Sequence, residues 1–356
     1  MILQPGTGDV AGEVYLPADP ATVLWGRLPC AADDPVLEVE PGTAVTIDTI
    51  SHEGILDDQG SDPVGFFGSH GVAERDVLAD AVEVTATRHR DPTLDGPHVI
   101  TGPIAVRGAQ PGDLLAISVL GLERRVPYGV ISNRHGRGAL PGELPAGGAT
   151  VSIFAAVEDE FGVLPRTAGG RPDVRFPLAP FLGIMGVAAA GSRRPHSVPP
   201  DKFGGNIDIN LLTVGSTLYL PVQVEGGLVY VGDPHFAQGD GEVALTALEA
   251  SLRATLRLDV VPSSDPLASF GAAFGPFAQT PEFLIPTGLD ADLNEAMRSC
   301  VRAAIALLRT RFGMDTEHAY AYLSAATDFN ISQVVDRVCG VHARIRIADF
   351  ASETAA

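Results

Sequence analysis

The run from position 248 to 260 constrains the fold of this chain more than any other segment. Leu248, Ala250, Leu252, Ala254, Leu256, Leu258 and Val260 alternate with Glu249, Ser251, Arg253, Thr255, Arg257 and Asp259. Period two puts these sets on opposite faces of a strand, whereas a helix would scramble them. The expectation is one long strand with a buried apolar face and Glu249 on its polar face. Shorter alternating runs at 36–39, 44–50, 114–119 and 151–157 are bounded by turn residues such as Pro41-Gly42, Pro111-Gly112-Asp113 and Gly147-Gly148. With 40 glycines and 28 prolines in the chain, the first 260 residues read mostly as strand and loop.

The remaining third changes period. Asp292 and Glu295 form a capping-box pattern, and Leu293, Met297, Cys300, Val301, Ala304, Leu308 and Phe312 then recur at three- and four-residue spacing before Gly313. This predicts an amphipathic helix packed on a sheet, with Cys300 an inert thiol on its apolar stripe. Helices at 316–326 and 331–338 and a strand at 341–347 complete the prediction. The fold class is mainly β with α (α+β), a β-sandwich or barrel-like body with a C-terminal helical layer. Residues 1–262 form its β-rich region and 263–356 pack on the same core, as one integrated domain.

Composition narrows the function classes. A 356-residue chain with 45% hydrophobic and 19% charged residues has material for a large core. Its formal net charge of −20, with no basic stripe, argues against nonspecific binding to nucleic acid or anionic membrane. The first ten residues show no charged-then-apolar leader pattern. The apolar run at 178–191 is interrupted by Pro180 and falls short of the roughly 20 residues a spanning helix needs. Cys30, Cys300 and Cys339 form no CxxC pair, in keeping with a reducing, cytoplasmic setting.

Chemistry concentrates between Gly204 and Glu242. Asn206, Asp208, Asp233, His235, Gln238, Asp240 and Glu242 lie within 37 positions, among glycines. A strand at 216–224, a turn at Glu225-Gly226-Gly227 and a return at 228–231 would form a hairpin that brings Asp208 to the Asp233/His235 pair. Asp233 and His235 are two apart around Pro234, so in extended backbone they leave on one face, as metal ligands or an acid/base pair would. A second cluster at 48–70 carries His52 and His70 among acids. A third loop at 130–138 carries Asn133 and His135. His89, His98, His196, His318 and His342 stand without evident partners and read as structural or exposed.

The stretch GGNIDINLLTVGSTLYLPV, followed by VGDPHFAQGDGEV, closely resembles the acetamidase/formamidase family of amide hydrolases. GPIAVRGAQPGDLLAI, FLGIMGVA and YLSAATDFNISQVVD extend the likeness over most of the chain. The resemblance implies a β-rich fold of that type, a homo-oligomer (dimer or higher), and hydrolysis of a short amide to carboxylate and ammonia. It also implies a bound divalent metal, with Zn²⁺ the first expectation and Ca²⁺ or Mn²⁺ as alternatives.

Amide hydrolysis needs activated water, a polarised carbonyl and a proton for the departing amine. Asp208, Asp233 and His235 are the expected metal ligands. Glu249 is the expected base, with Glu242 second, and Asp208 and His52 complete the catalytic set. Asn206, Asn133 and His135 are expected to bind the small-molecule amide, and His70 to sit on a lid. No GxSxG elbow is present. A nitrilase-like site would have to use Lys202, the sole lysine, with Cys30. Hydrolysis of a cyclic or larger amide, and a non-catalytic metal-stabilised scaffold that binds a small ligand, are the competing readings.

Overall fold

A computed structural model describes residues 2–350, without the side chains at 172 and 173. Its strands form two large sheets. The first, of nine strands, runs in the order Val14–Leu16, Thr43–Asp48, Leu252–Val261, Leu114–Arg124, Thr217–Pro221, Phe277–Gln279, Phe283–Asp290, Cys339–Arg346 and Asp328–Gln333. The second, of eleven strands, has Val229–Ala237 at its functional centre, bonded to Phe181–Gly186, Leu248–Glu249 and Val99–Val106. One apolar cluster joins the two sheets, with Ile47, Ile117, Leu218 and Leu256 from the first and Ile100, Val130, Ile184 and Val231 from the second. The mainly β, α+β reading holds.

The long alternating run is not one strand. Leu248–Glu249 belongs to the second sheet and Leu252–Val261 to the first, so the chain changes sheets across Ala250 and Ser251. Ala250 donates its amide to Pro234, and the Ser251 carbonyl accepts from Arg125, each across a different sheet. Nor is one face solvated: Leu252 to Leu256 are buried on both faces, and Glu249 is buried as well. The polar set finds partners instead. Thr255 Oγ1 lies 3.0 Å from Thr46 Oγ1, and Arg253 donates to Asp48 at 2.7 and 2.9 Å. Alternation therefore sorted the faces correctly but said nothing about what covers the polar one.

The expected hairpin is likewise split. The turn at 225–227 forms, with Gly227 donating to Val224, but Thr217–Pro221 pairs with Leu114–Arg124 and Phe277–Gln279, while Val229–Ala237 enters the other sheet. The C-terminal reading fares better. Leu293–Phe312 is a helix whose Asp292 side chain accepts from the Asn294 and Glu295 amides, and Gly313 closes it in the left-handed region at φ 64°. The capping box is half formed, because the Glu295 side chain turns to Arg298. Thr316–Ala326 is helical, and Cys300 is buried against the Pro286 carbonyl. Residues 331–338 are not helical. Asp328–Gln333 is an edge strand, and the Gln333 side chain then binds the amides of Val335 and Asp336 and the Val338 carbonyl, which holds a loop. Helices at Pro63–Ser69 and Ala79–Thr87 interrupt the region read as strand and loop, and Pro266–Phe274 adds a further helix to the C-terminal part.

A buried ion network ties these parts together. Arg125 and Arg253 are essentially inaccessible, and Asp48, at the end of Thr43–Asp48, faces both, while Asp80 pairs with Arg125 at 2.7 Å. Asp48 is thus a structural counter-charge. Replacing it with Ala leaves Arg253 buried without its carboxylate and is expected to cost about 3–5 kcal/mol, read as a lower urea midpoint at unchanged slope.

Candidate active site

Two strands and the loops beside them deliver the site. Asp233 and His235 come from Val229–Ala237, and His235 faces Glu249 across the ladder. Asp208 follows the short strand Gly204–Asn206, His52 follows Thr43–Asp48, and His98 immediately precedes Val99–Val106. Asp208, Asp233 and Glu242 all adopt left-handed backbone, at φ 47°, 51° and 46°. For non-glycine residues this conformation costs on the order of 1–3 kcal/mol each and persists only where surrounding structure enforces it. Three such residues, converging on one point, mark a site built for function.

The contacts centre on Asp233. Its Oδ1 lies 3.3 Å from His52 Nδ1 and 3.7 Å from His98 Nε2, and its Oδ2 lies 3.2 Å from His235 Nε2. His235 Nε2 is also 3.1 Å from Glu249 Oε1, and His235 Nδ1 is 3.9 Å from Asp208 Oδ1. On the far side of His52, Glu53 Oε1 approaches Nε2 at 3.4 Å and in turn meets Arg134, Ser132 and Gln59. All these histidines and the carboxylates of Asp208, Asp233, Glu242 and Glu249 are buried.

Burial and crowding move their proton affinities apart. Burial raises Asp208, Glu242 and Asp336, and each is raised further by a neighbouring carboxylate. Burial raises Glu249 too, partly offset by His235. At Asp233 burial opposes ionisation, but His98, His235 and His52 outweigh it and hold the carboxyl well below its usual range. His52 is desolvated yet lifted to about 10 by Glu249, Asp233 and Glu53. His98 is depressed to about 3 by burial, which its one carboxylate neighbour does not offset. One carboxylate oxygen thus serves two imidazoles, and the one facing more negative charge keeps the proton.

Several buried donor and acceptor atoms here, although close to one another, make no hydrogen bond of good geometry: both Asp208 oxygens, Asp233 Oδ1, both His235 nitrogens, His52 Nδ1, Glu249 Oε2 and Asn206 Oδ1. Unsatisfied polar atoms of this number are uncommon inside folded proteins and point to a ligand. Gly183 supplies the room. A Cβ there would stand 2.5 Å from Asp208 Oδ1, 2.7 Å from His235 Cε1 and 2.8 Å from Asp233 Oδ2. The donor atoms fall into three groups, each within 4.8 Å: His52, His98 and Asp233; Asp208, His235 and Glu242; and Asp233, His235 and Glu249. A mixed imidazole and carboxylate set of this kind suits a divalent cation.

The cluster opens onto a cavity of about 650 Å³ whose wall includes His52, His98, Asn206, Asp233, Glu242 and Glu249. Of the residues expected from sequence, Asp208, Asp233, His235, Glu249, Glu242, His52 and Asn206 are brought together. Asn133 and His135 are not among those lining the cavity: the Asn133 amide donates to the Ala244 carbonyl, and His135 faces the Pro145 carbonyl at 3.2 Å. His70 is stacked on Phe154, outside the cavity. Lys202 is exposed and Cys30 is buried, and neither lines this cavity. His98 is corrected from unpartnered to a member of the cluster, and His342 is buried with its Nδ1 2.8 Å from Ser332 Oγ. Glu53, Asp336 and Arg134 had gone unrecognised. Asp336 ends one of the stretches that carry the family likeness, and Glu53 adjoins His52, so a signal existed for both.

A family description, Acetamidase/Formamidase family, matches residues 75–195 and 187–348. The chain belongs to the acetamidase/formamidase family. A formamidase of Methylophilus methylotrophus is 29% identical over 312 residues, covering 69% of this chain and 75% of that protein. An acetamidase of Mycolicibacterium smegmatis is 30% identical over 207 residues, 43% of this chain and 51% of its own length. Among solved structures, a predicted acetamidase/formamidase from Thermoanaerobacter tengcongensis superposes with a TM-score of 0.75 at 21% identity, covering 99% of both chains. An acetamidase from Bacillus halodurans gives 0.73 at 23%, covering 95% of this chain and 99% of that one. The family fold therefore extends over nearly the whole chain. Among the described residues, no helix is long and apolar enough to cross a membrane.

The clearance at Gly183 yields a direct test of the cation site. If the cluster binds a divalent cation, Gly183→Ala is expected to weaken that binding by about 10–100-fold, the scale seen when ligand orientation is disturbed. Titration against a competing chelator measures it. Gly239→Ala, where the added carbon meets nothing within 4 Å, is the control and is expected to leave affinity unchanged.

Proposed function

We propose that the chain hydrolyses a small aliphatic amide of the formamide or acetamide type to a carboxylate and ammonia. The observation that carries this reading is the gathering of Asp208, Asp233, His235 and Glu249, with buried donor atoms left unpaired, beside one cavity whose wall includes Asp233 and Glu249. Asp208, Asp233 and His235 would hold a divalent cation: the imidazole suits Zn²⁺, the first expectation, and the two carboxylates suit Ca²⁺ or Mn²⁺. When bound, such an ion polarises a carbonyl and lowers the pKa of water.

The remaining work falls to side chains. Glu249 Oε2, unpaired and 3.8 Å from His52 Nδ1, takes the proton of the attacking water and passes it to the departing nitrogen. His52, held charged by its carboxylate neighbours, stabilises the negative charge that develops as water adds. Asn206, whose Oδ1 is unpaired, accepts a hydrogen bond from the amide NH₂. A homo-oligomer and a cytoplasmic setting accompany this reading, the latter resting on three unpaired cysteines.

The test is ammonia release from formamide, acetamide, propionamide and a γ-lactam, before and after chelation and metal restoration. Release that is lost on chelation and regained with Zn²⁺ supports the assignment. A preference for the γ-lactam would move it to cyclic amides. No release from any of the four, with metal bound, would overturn it in favour of a binding scaffold. In an active preparation, Glu249→Gln is expected to lower kcat by at least about 100-fold with the fold intact by circular dichroism.

A further inference from the structure

The cavity is far larger than a formamide or acetamide requires. At about 650 Å³ it falls in the range of pockets that enclose ligands of many heavy atoms. In a chain whose formal net charge is −20, its wall also carries a group of guanidinium cations among its carboxylates. Arg90, Arg134, Arg137 and Arg337 all line it. Two of them are neutralised: Arg90 pairs with Asp57, and Arg134 binds Asp58 at 2.6 Å and Glu53 at 3.3 Å. Asp95, also on the wall, pairs with Arg27 at 2.7 Å. Among the described residues, no carboxylate forms an ion pair with Arg137 or Arg337, so two guanidinium groups without a direct partner share the wall with Asp233, Glu242, Glu249 and Asp336.

Both arginines sit on anchored backbone. Arg337 is itself in the left-handed region at φ 66°, in the loop that the buried Gln333 side chain clamps through Val335, Asp336 and Val338. Arg137 lies in a tight turn closed by its own amide to the Arg134 carbonyl, and the following Ala139 is bonded to Val243. Desolvation and the like charges of Arg134 and Arg337 push Arg137 below its ordinary value, and burial with Arg337 and Arg27 pushes His196, on the same wall, down to about 4.

We propose that this site takes an amide bearing a carboxylate, with Arg137 and Arg337 binding the carboxylate while the amide carbon lies against Asp208, Asp233, His235 and Glu249. The inference rests on the amidohydrolase reading for its chemistry but not for its anion site. Guanidinium groups present planar forks that match a carboxylate.

The experiment compares succinamate with butyramide, which differ by a carboxylate in place of a methyl group, using Zn²⁺-loaded protein. The expected result is a kcat/KM at least about tenfold higher for succinamate, and a fall of that ratio by at least about tenfold in R137Q/R337Q, carried mainly by KM. Both side chains are exposed, so their replacement leaves the core untouched. The conservative R137K/R337K keeps the charge and is expected to restore part of the ratio. Equal turnover of the two amides, or a ratio unmoved in R137Q/R337Q, overturns the proposal. Calorimetry with succinate separates the two readings. Succinate binding lost in R137Q/R337Q supports the anion site even if no amide is hydrolysed, which would overturn only the hydrolytic assignment. Amide hydrolysis without succinate binding overturns the anion site alone.

Discussion

Asp233 is the group on which the rest of the site depends. One buried carboxylate faces three imidazoles, from a loop after Thr43–Asp48, from the residue before Val99–Val106 and from its own strand. Taking so many ionisable groups out of water is costly unless each is answered by opposite charge or by a bound ion. The left-handed backbone at Asp208, Asp233 and Glu242 and the absence of a side chain at Gly183 are further costs incurred at the same point. Two sheets joined by one apolar cluster supply the rigidity that holds this arrangement in place.

A second buried ionic group clarifies the first. Around Asp48, the guanidinium of Arg253 is matched by both carboxylate oxygens, by the phenol of Tyr15 and by the Thr7 carbonyl. That network is nearly closed and acts as a fastener between strands. Around Asp233, by contrast, donor and acceptor atoms stay unpaired at comparable burial. Satisfied networks specify structure, while unsatisfied ones in a cavity wall specify a ligand. The same distinction applies at the cavity wall, where Arg90 and Arg134 are balanced and Arg137 and Arg337 are not.

How much of this was legible in the chain depended on how local the signal was. The Leu293–Phe312 helix, its Asp292 cap and its Gly313 stop are set by residues within one or two turns of one another, and they appear as read. Residues 331–338 failed because strand pairing with Cys339–Arg346 and the Gln333 side chain outweighed the apolar spacing. The single strand expected from 248 to 260 and the hairpin expected around 225–227 failed in a shared way: the flanking segments are extended as expected, yet the chain changes sheets between them, and period two carries no information about the partner strand. Asp208, Asp233, His235 and Glu249 were found by residue type and by family likeness. His98 was missed because nothing beside it in sequence hints at Asp233.

The sequence by itself determined the β-rich class, the C-terminal helices, the family and most of the polar residues that meet in the cavity, because periodicity, caps and motif chemistry are local properties. Only the tertiary structure decided that Glu249 is buried rather than solvated, that His98 joins Asp233, and that Arg137 and Arg337 line the wall of the same cavity. Those outcomes depend on which strands lie side by side. That choice is made by side-chain packing between segments more than a hundred residues apart, such as Asp48 and Arg253, and no window of sequence contains it.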